Sequence, residues 1–316
     1  MYRPTVQSII TAIETVIVGK EEVIAKSLTA LLAGGHVLLE DVPGVGKTML
    51  VRTFSRAIDL DFKRIQFTPD MLPSDLTGIS MYNQKTREFE YRPGPLMGNI
   101  ILADEINRTS PKTQSALLEA MAERSVTVDG ELKVLPSPFF VMATQNPIEH
   151  EGTYPLPEAQ LDRFLLKIEM GYPTFNEEIA LLSRFEKEEP LEALQSVITK
   201  QEVELMQREV RDVHVSSAVK QYIVRLVHES RKDPHTYLGG SPRATLALMK
   251  AAQSWAYIHN RDFVLPDDVK AMATSVLGHR VLLTAEARYK GKSPNQLIQD
   301  WLDTLPVPMD REVNEV

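Results

Sequence analysis

The stretch from His36 to Ile58 constrains this chain more than any other. His36–Glu40 (HVLLE) is short and apolar, Asp41–Gly46 (DVPGVG) is rich in Gly and Pro, and Thr48–Ile58 returns to helical spacing. A buried strand that runs through a Gly-rich turn into a helix aims the free N–H groups of the helix start at one point. Glycines let that backbone come close to a bound group. What such a cradle suits is an anion, above all a phosphate chain. In Val42-Pro43-Gly44-Val45-Gly46-Lys47-Thr48-Met49, Lys47 would reach the β- and γ-phosphates and the Thr48 hydroxyl would ligate Mg²⁺. The full P-loop pattern has Gly where this chain has Asp41.

The rest of the chain supplies a sheet for this turn. Phe62–Phe67, Asn99–Asp104 (NIILAD), Pro138–Thr144 and Phe164–Met170 read as further strands, with helices expected over 4–17, Glu21–Ala33, 110–123 and 174–187. Strands alternating with helices imply a parallel sheet covered on both faces. NIILAD runs straight into Asp104-Glu105, which places two carboxylates at the sheet's C-terminal edge beside the turn. Asp104 would hold Mg²⁺, directly or through water, and Glu105 would polarise an attacking water. Two stretches break the alternation, 74–97 and 126–134, the latter built around Asp129-Gly130, a hairpin turn signal. Both are expected to project as insertions.

After about residue 188 the pattern changes to helices only, expected over 242–258, 266–278 and 293–303, with a stripe at Val219, Tyr222, Ile223, Leu226 and Val227. The expected division is an α/β nucleotide-binding domain over 1–188, an α-helical domain over 189–305 and a tail over 306–316. Trp255 and Tyr257, on a helix with Leu246, Leu248 and Met249, read as core.

Composition narrows the chemistry. With 316 residues the chain holds about two domains of ~150 residues. It has no cysteine, so thiol nucleophiles and cysteine-bound metals are excluded. Its net charge of −8 argues against a nucleic-acid coat. The N-terminus lacks a signal-peptide pattern, and the apolar runs fall far short of the ~20 residues that span a bilayer. A soluble cytoplasmic protein with no membrane insertion is expected. The histidines make no zinc-binding helical pair, no GxSxG elbow is present, and the lack of NKxD favours ATP over GTP.

On LLEDVPGVGKT, GPLMGNIILADEINRTSPKTQSALLEAMAE, ATQNPIEHEGTYPLPEAQLDRF and GGSPRA, the chain resembles the AAA+ ATPases, and within them the MoxR family, over about residues 5–305. The resemblance implies a P-loop α/β domain with hairpin insertions followed by a small all-α lid. The hairpins look like those of the branch that holds magnesium-chelatase motors and MCM helicases. It further implies that Asn146 is sensor 1, positioning the γ-phosphate or the water, and that Arg163 is an arginine finger serving a neighbouring subunit. Arg243 matches sensor 2, in its own site or a neighbour's. Val18-Gly19-Lys20 resembles the segment near adenine. Gln66 is placed to tether Glu105 until a partner docks, and Arg108 to line a subunit interface. The family implies ATP with Mg²⁺, a homo-oligomeric ring, most simply a hexamer, and chaperone-like remodelling of protein clients, often with a separate von Willebrand factor A-domain protein.

Two alternatives stay open at this stage. One is a DNA motor like the MCM relatives, which would need basic hairpins. Here Lys133 stands against Asp129 and Glu131, while Lys85, Arg87 and Arg92 stand against Asp75, Glu88 and Glu90. The other is an ATP-gated scaffold with little turnover, against which the intact Glu105 argues.

Overall fold

The structure, a computed structural model, describes residues 1–40, 44–145, 153–186 and 190–308. Two helices come first, α1 (Pro4–Glu14) and α2 (Glu21–Leu32). The alternating body follows: β1 (Val37–Glu40), α3 (Lys47–Ala57), β2 (Phe62–Gln66), α4 (Pro73–Thr77), the hairpin β3 (Gly78–Asn83) and β4 (Glu88–Pro93), then β5 (Ile100–Asp104) and α5 (Pro111–Glu123). A second hairpin, β6 (Ser125–Val128) and β7 (Glu131–Val134), precedes β8 (Phe140–Gln145), α6 (Glu158–Leu161), β9 (Leu166–Ile168) and α7 (Phe175–Phe185). The C-terminal part holds α8 (Pro190–Ala193), α9 (Lys200–Asp212), α10 (Ser217–Lys232), β10 (Thr236–Leu238), α11 (Pro242–Ile258), α12 (Pro266–Leu277), β11 (Leu282–Leu283), α13 (Ala285–Tyr289) and α14 (Pro294–Thr304).

Five strands form one parallel sheet in the order β2-β5-β8-β1-β9. β1, β5 and β8 are buried on both faces except at their last residue, which explains their unbroken apolar sequences. All their carboxyl ends share one edge. The phosphate turn therefore leaves β1 on the same edge where β5 releases Asp104. The two inserted hairpins stand apart as separate two-stranded sheets, as their alternation and turn residues predict.

One apolar cluster lies under the sheet and α5, reaching Val126 and Val128 of the second hairpin. The other joins α1, α2 and α3 to the C-terminal helices without a break. Polar contacts fix that docking: Ser254 Oγ donates to the Thr29 carbonyl (2.8 Å) and Gln207 Nε2 to the Leu31 carbonyl (2.7 Å). The C-terminal helices thus rest on α2.

Several expectations change. The C-terminal part is not helical throughout, because β10 and β11 pair antiparallel. Such two- and three-residue strands carry too little alternation to be read from sequence. The first helix stops at Glu14; Ile17 is buried by the turn that follows, which mimics helical spacing. Of the two expected core residues, Tyr257 is buried and Trp255 partly so; on the same helix Leu246 is 55% exposed and lines a cleft. α7 ends at Phe185, and the boundary expected at 188–189 lies outside the described residues. Among the described residues no helix is long and apolar enough to cross a membrane.

Candidate active site

At the C-terminal edge of the sheet, Gly44, Gly46, Lys47, Thr48, Met49, Arg52, Asp104, Glu105 and Thr144 line a cleft of about 420 Å³. Gly46 is the N-cap of α3, with φ +90°, and Gly44 has φ +88°. A Cβ at either position would meet nothing within 4 Å. These glycines are therefore required by backbone conformation alone, and the space above them is open for a ligand. Lys47 and Thr48 begin α3, so both side chains start beside the free N–H groups of its first turn. Val45 is half-buried, while Val42 and Pro43 lie outside the described residues, as does Asn146.

The acids are held by a hydrogen-bonded set drawn from three strands. Thr144 of β8 donates its hydroxyl to Asp104 Oδ1 (2.7 Å) and accepts from the Glu105 N–H (2.8 Å). Arg64 of β2 donates to Asp104 Oδ2 (2.8 Å) and to Gln66 Oε1 (2.8 Å). Gln66 Nε2 in turn donates to Glu105 Oε2 (2.9 Å), and Arg108 Nε lies 3.3 Å from the same oxygen. Glu105 adopts φ +58°, ψ +48°, left-handed backbone that costs a non-Gly residue of order 1 kcal/mol. The bond from the Glu105 N–H to Thr144 holds this backbone in place. Thr144, Arg64 and Arg52 were not singled out in the sequence. For Arg64 and Gln66 a signal existed, since they alternate with buried Ile65 on one face of β2.

This donor set fits Mg²⁺ delivered with a nucleotide. Among the described residues no group of three His, Cys, Asp or Glu side chains could cage an ion. Magnesium commonly uses one or two protein oxygens plus phosphate and water, and Thr48 and Asp104 supply such oxygens in the same cleft.

The arginines lie elsewhere. Arg163 immediately precedes the segment entering β9, where the N–H groups of Leu165 and Leu166 donate to the His36 carbonyl (2.8 and 3.3 Å). It sits level with the start of β1, at the amino edge of the sheet. Arg163 and Arg243 line one cleft of about 400 Å³ together with Gly34, Arg124, Asp162 and Lys250. Arg163 Nη1 donates to the Leu118 carbonyl of α5, and Arg124 Nη2 to the Gly34 carbonyl (3.1 Å). β1 alone separates this cleft from the phosphate turn by about 13 Å, at ~3.3 Å per strand residue.

The Val18-Gly19-Lys20 turn returns to the carboxyl edge. Lys20 Nζ donates to the carbonyls of Met170 (2.7 Å), Gly171 and Tyr172 (both 3.2 Å), just past β9. Gly19 has φ +69°, and a Cβ there would fall 1.9 Å from Glu177 Oε1. Gly19 lines its own cleft with Thr274 and Asn295, separate from that of the phosphate turn.

A parallel sheet in this order, with a Gly-rich turn after β1 and an acid pair after β5, defines a P-loop nucleoside triphosphatase fold. Residues 36–166 match the ATPase family associated with various cellular activities (AAA), and residues 228–301 match the AAA lid domain. The chain is 58% identical over 308 residues to the uncharacterized protein YeaC of Bacillus subtilis, covering 98% of this chain and 96% of that one. It is 43% identical to the chaperone MoxR1 of Mycobacterium tuberculosis, over 99% of this chain and 84% of that one. A crystal structure of a protein from Cytophaga hutchinsonii, assigned as an ATPase, superposes with a TM-score of 0.91 at 41% identity, covering 98% of this chain and 96% of that one. The chain belongs to the MoxR family of AAA+ ATPases.

Proposed function

We propose that this protein hydrolyses ATP at a site shared between adjacent copies and uses the cycle to remodel protein complexes. The observation that carries the reading is the separation of Lys47, Thr48, Asp104 and Glu105 from Arg163 and Arg243 on opposite edges of one sheet. A sheet does not fold over to bring its own edges together. In this reading a second copy supplies the arginines, Arg243 serving the neighbour along with Arg163.

In this reading Lys47 binds the β- and γ-phosphates, and Thr48 and Asp104 hold the Mg²⁺ that comes with ATP. Bound Mg²⁺ would supply charge neutralisation on the phosphates. Glu105 takes a proton from the attacking water once freed from Gln66 and Arg108. Arg163 stabilises charge on the transferring phosphoryl group, a contribution of roughly 10³–10⁵ in rate. Asn146 would orient the water, and the Val18–Gly19 turn would flank adenine. A closed ring, most simply a hexamer, gives each site its partner. The lid, taken as residues 189–305, would then turn with nucleotide state. The projecting hairpins expose Tyr82, Phe89, Leu132 and Val134, apolar groups suited to a protein client rather than to nucleic acid. A separate von Willebrand factor A-domain protein is the proposed adaptor, and the cytoplasm the proposed compartment.

The test is a mixture. Arg163→Ala should bind ATP and lose nearly all turnover, and Lys47→Ala should lose both. Mixed, the two should regain activity, because intact P-loops meet intact arginines at some interfaces. No recovery at any ratio, or full turnover by an isolated monomer, would end the shared-site reading.

A further inference from the structure

The cleft that carries Arg163 and Arg243 is closed at its back by Arg280, which follows α12 and is 7% exposed. Its Nε donates to Asp162 Oδ1 (2.6 Å) and its Nη2 to the carbonyls of Asp162 (3.2 Å) and Phe164 (2.5 Å). Its Nη1 donates to the carbonyls of Leu165 (3.2 Å) and Val276. Four of these five acceptors belong to Asp162–Leu165, the segment that presents Arg163. The neighbouring His279 adds an Nε2 contact to the Phe164 carbonyl (3.1 Å).

The other carboxylate oxygen of Asp162 accepts from Ser241 Oγ at 3.0 Å. Ser241 is the N-cap of α11 and accepts from the Ala244 N–H at 3.3 Å. Arg243 stands in the first turn of that helix. The Asp162 carboxylate, one residue before Arg163, is thus bonded to the hydroxyl of Ser241, two residues before Arg243. Burial works against the charge on Arg280, Asp162 offsets it, and the Arg243 cation adds repulsion. A buried ion pair of this kind is a poor route to stability compared with an apolar packing of the same volume. What it does provide is fixed geometry, since a planar guanidinium with five placed acceptors has one orientation.

We propose that Asp162, gripped by Ser241 and Arg280, is the joint that holds Arg163 and Arg243 as one unit, so that both reach the neighbouring copy's triphosphate together and move with the C-terminal helices. The proposal rests on the shared-site reading above. Asp162, Ser241 and Arg280 are positioning residues; none of them touches the nucleotide. A change in lid angle in one subunit would therefore reset the arginines presented to the next.

The experiment uses full-length Asp162→Asn, Ser241→Ala and Arg280→Lys proteins. Turnover should fall roughly tenfold or more, the size of effect that follows from misplacing a catalytic group by about an ångström. KM for ATP and binding of a fluorescent ATP analogue should stay within twofold of the parent, because each variant keeps its own P-loop. Mixing Asp162→Asn with Lys47→Ala should restore turnover, as the defect lies only in what a subunit presents to its neighbour. Unchanged turnover in all three variants, a KM that rises in step with the loss, or a loss that no mixture rescues would overturn the joint. Ser241→Ala leaves the Arg280 pair intact and carries the test if Asp162→Asn does not fold. Arg163→Ala mixed with Lys47→Ala is the control. If that pair recovers and Asp162→Asn does not, only the joint fails; if neither recovers, the shared site fails with it.

Discussion

At the carboxyl edge of the sheet, Lys47, Thr48, Asp104, Glu105 and Thr144 come from strand ends and the helix that leaves one of them. At the amino edge, Arg163 and Arg243 meet only because α11 and α12 dock against the segment entering β9. The first edge is built by local chain geometry and a parallel register. The second is built by tertiary docking of a separate set of helices. An edge of the first kind keeps its geometry whatever the lid does. An edge of the second kind presents its charges only while the lid is seated, so it can report the lid's position. The proposed shared site would use that division of labour, with binding fixed in each subunit and catalysis conditional on the next.

Three measurements press on this contrast, beginning with the largest effect. Glu105→Gln removes the proton acceptor from the carboxyl edge and nothing from the other. Turnover should fall by about 10²–10⁴ with ATP binding retained, as read by single-turnover hydrolysis beside analogue binding. Equal turnover in parent and variant would put the base elsewhere and favour an ATP-gated scaffold.

Acidification should act on the amino edge. His36 is buried, its Nδ1 accepting from the Val141 N–H (3.0 Å) and its Nε2 facing the Met121 carbonyl (3.2 Å), and burial pushes its pKa down to about 4. Burial also holds His279 well below the usual histidine range. The unfolded chain binds protons at these rings below about pH 6.5, whereas folded His36 refuses one until about pH 4. Stability contributed by neutral His36 is therefore complete above about pH 6.5 and is lost as pH falls toward 4, by about 3 kcal/mol. Urea unfolding across this range should show the loss, and His36→Gln should flatten it. Parallel slopes in the two proteins would clear His36 of the effect.

The smallest effect concerns the tether. Gln66→Ala removes one solvent-exposed hydrogen bond, worth about 0.5–1 kcal/mol, from Glu105 Oε2 and leaves its contact with Arg108. Basal turnover should rise roughly two- to fivefold with KM unchanged. A fall instead would mean that Gln66 helps place Glu105 rather than restraining it.

Much of the carboxyl edge was legible in the sequence. The GVGKT turn, the apolar run ending in Asp104-Glu105 and both hairpins follow from patterns a few residues long, because strand burial and turn chemistry are local. Thr144 was not legible: a threonine near a strand end has no distinctive spacing, and its role arises because β8 lies between β5 and β1. The exposure of Leu246 was not legible for a related reason. Helical periodicity ranks it with the core, but the face it shares with Arg243 and Lys250 lines an open cleft.

The amino-acid sequence by itself determined a phosphate-binding strand–turn–helix, an acid pair on a neighbouring strand and a parallel sheet between helices, since each depends on neighbours in the chain and on the alternation of apolar and polar positions. Only the tertiary structure decided which charges share a cleft. The Asp162-Arg163 pair, Arg243 and Arg280 come from distant parts of the chain, and whether such groups meet is set by the docking of α11 and α12 on the body, a matter of shape and burial that no local pattern encodes.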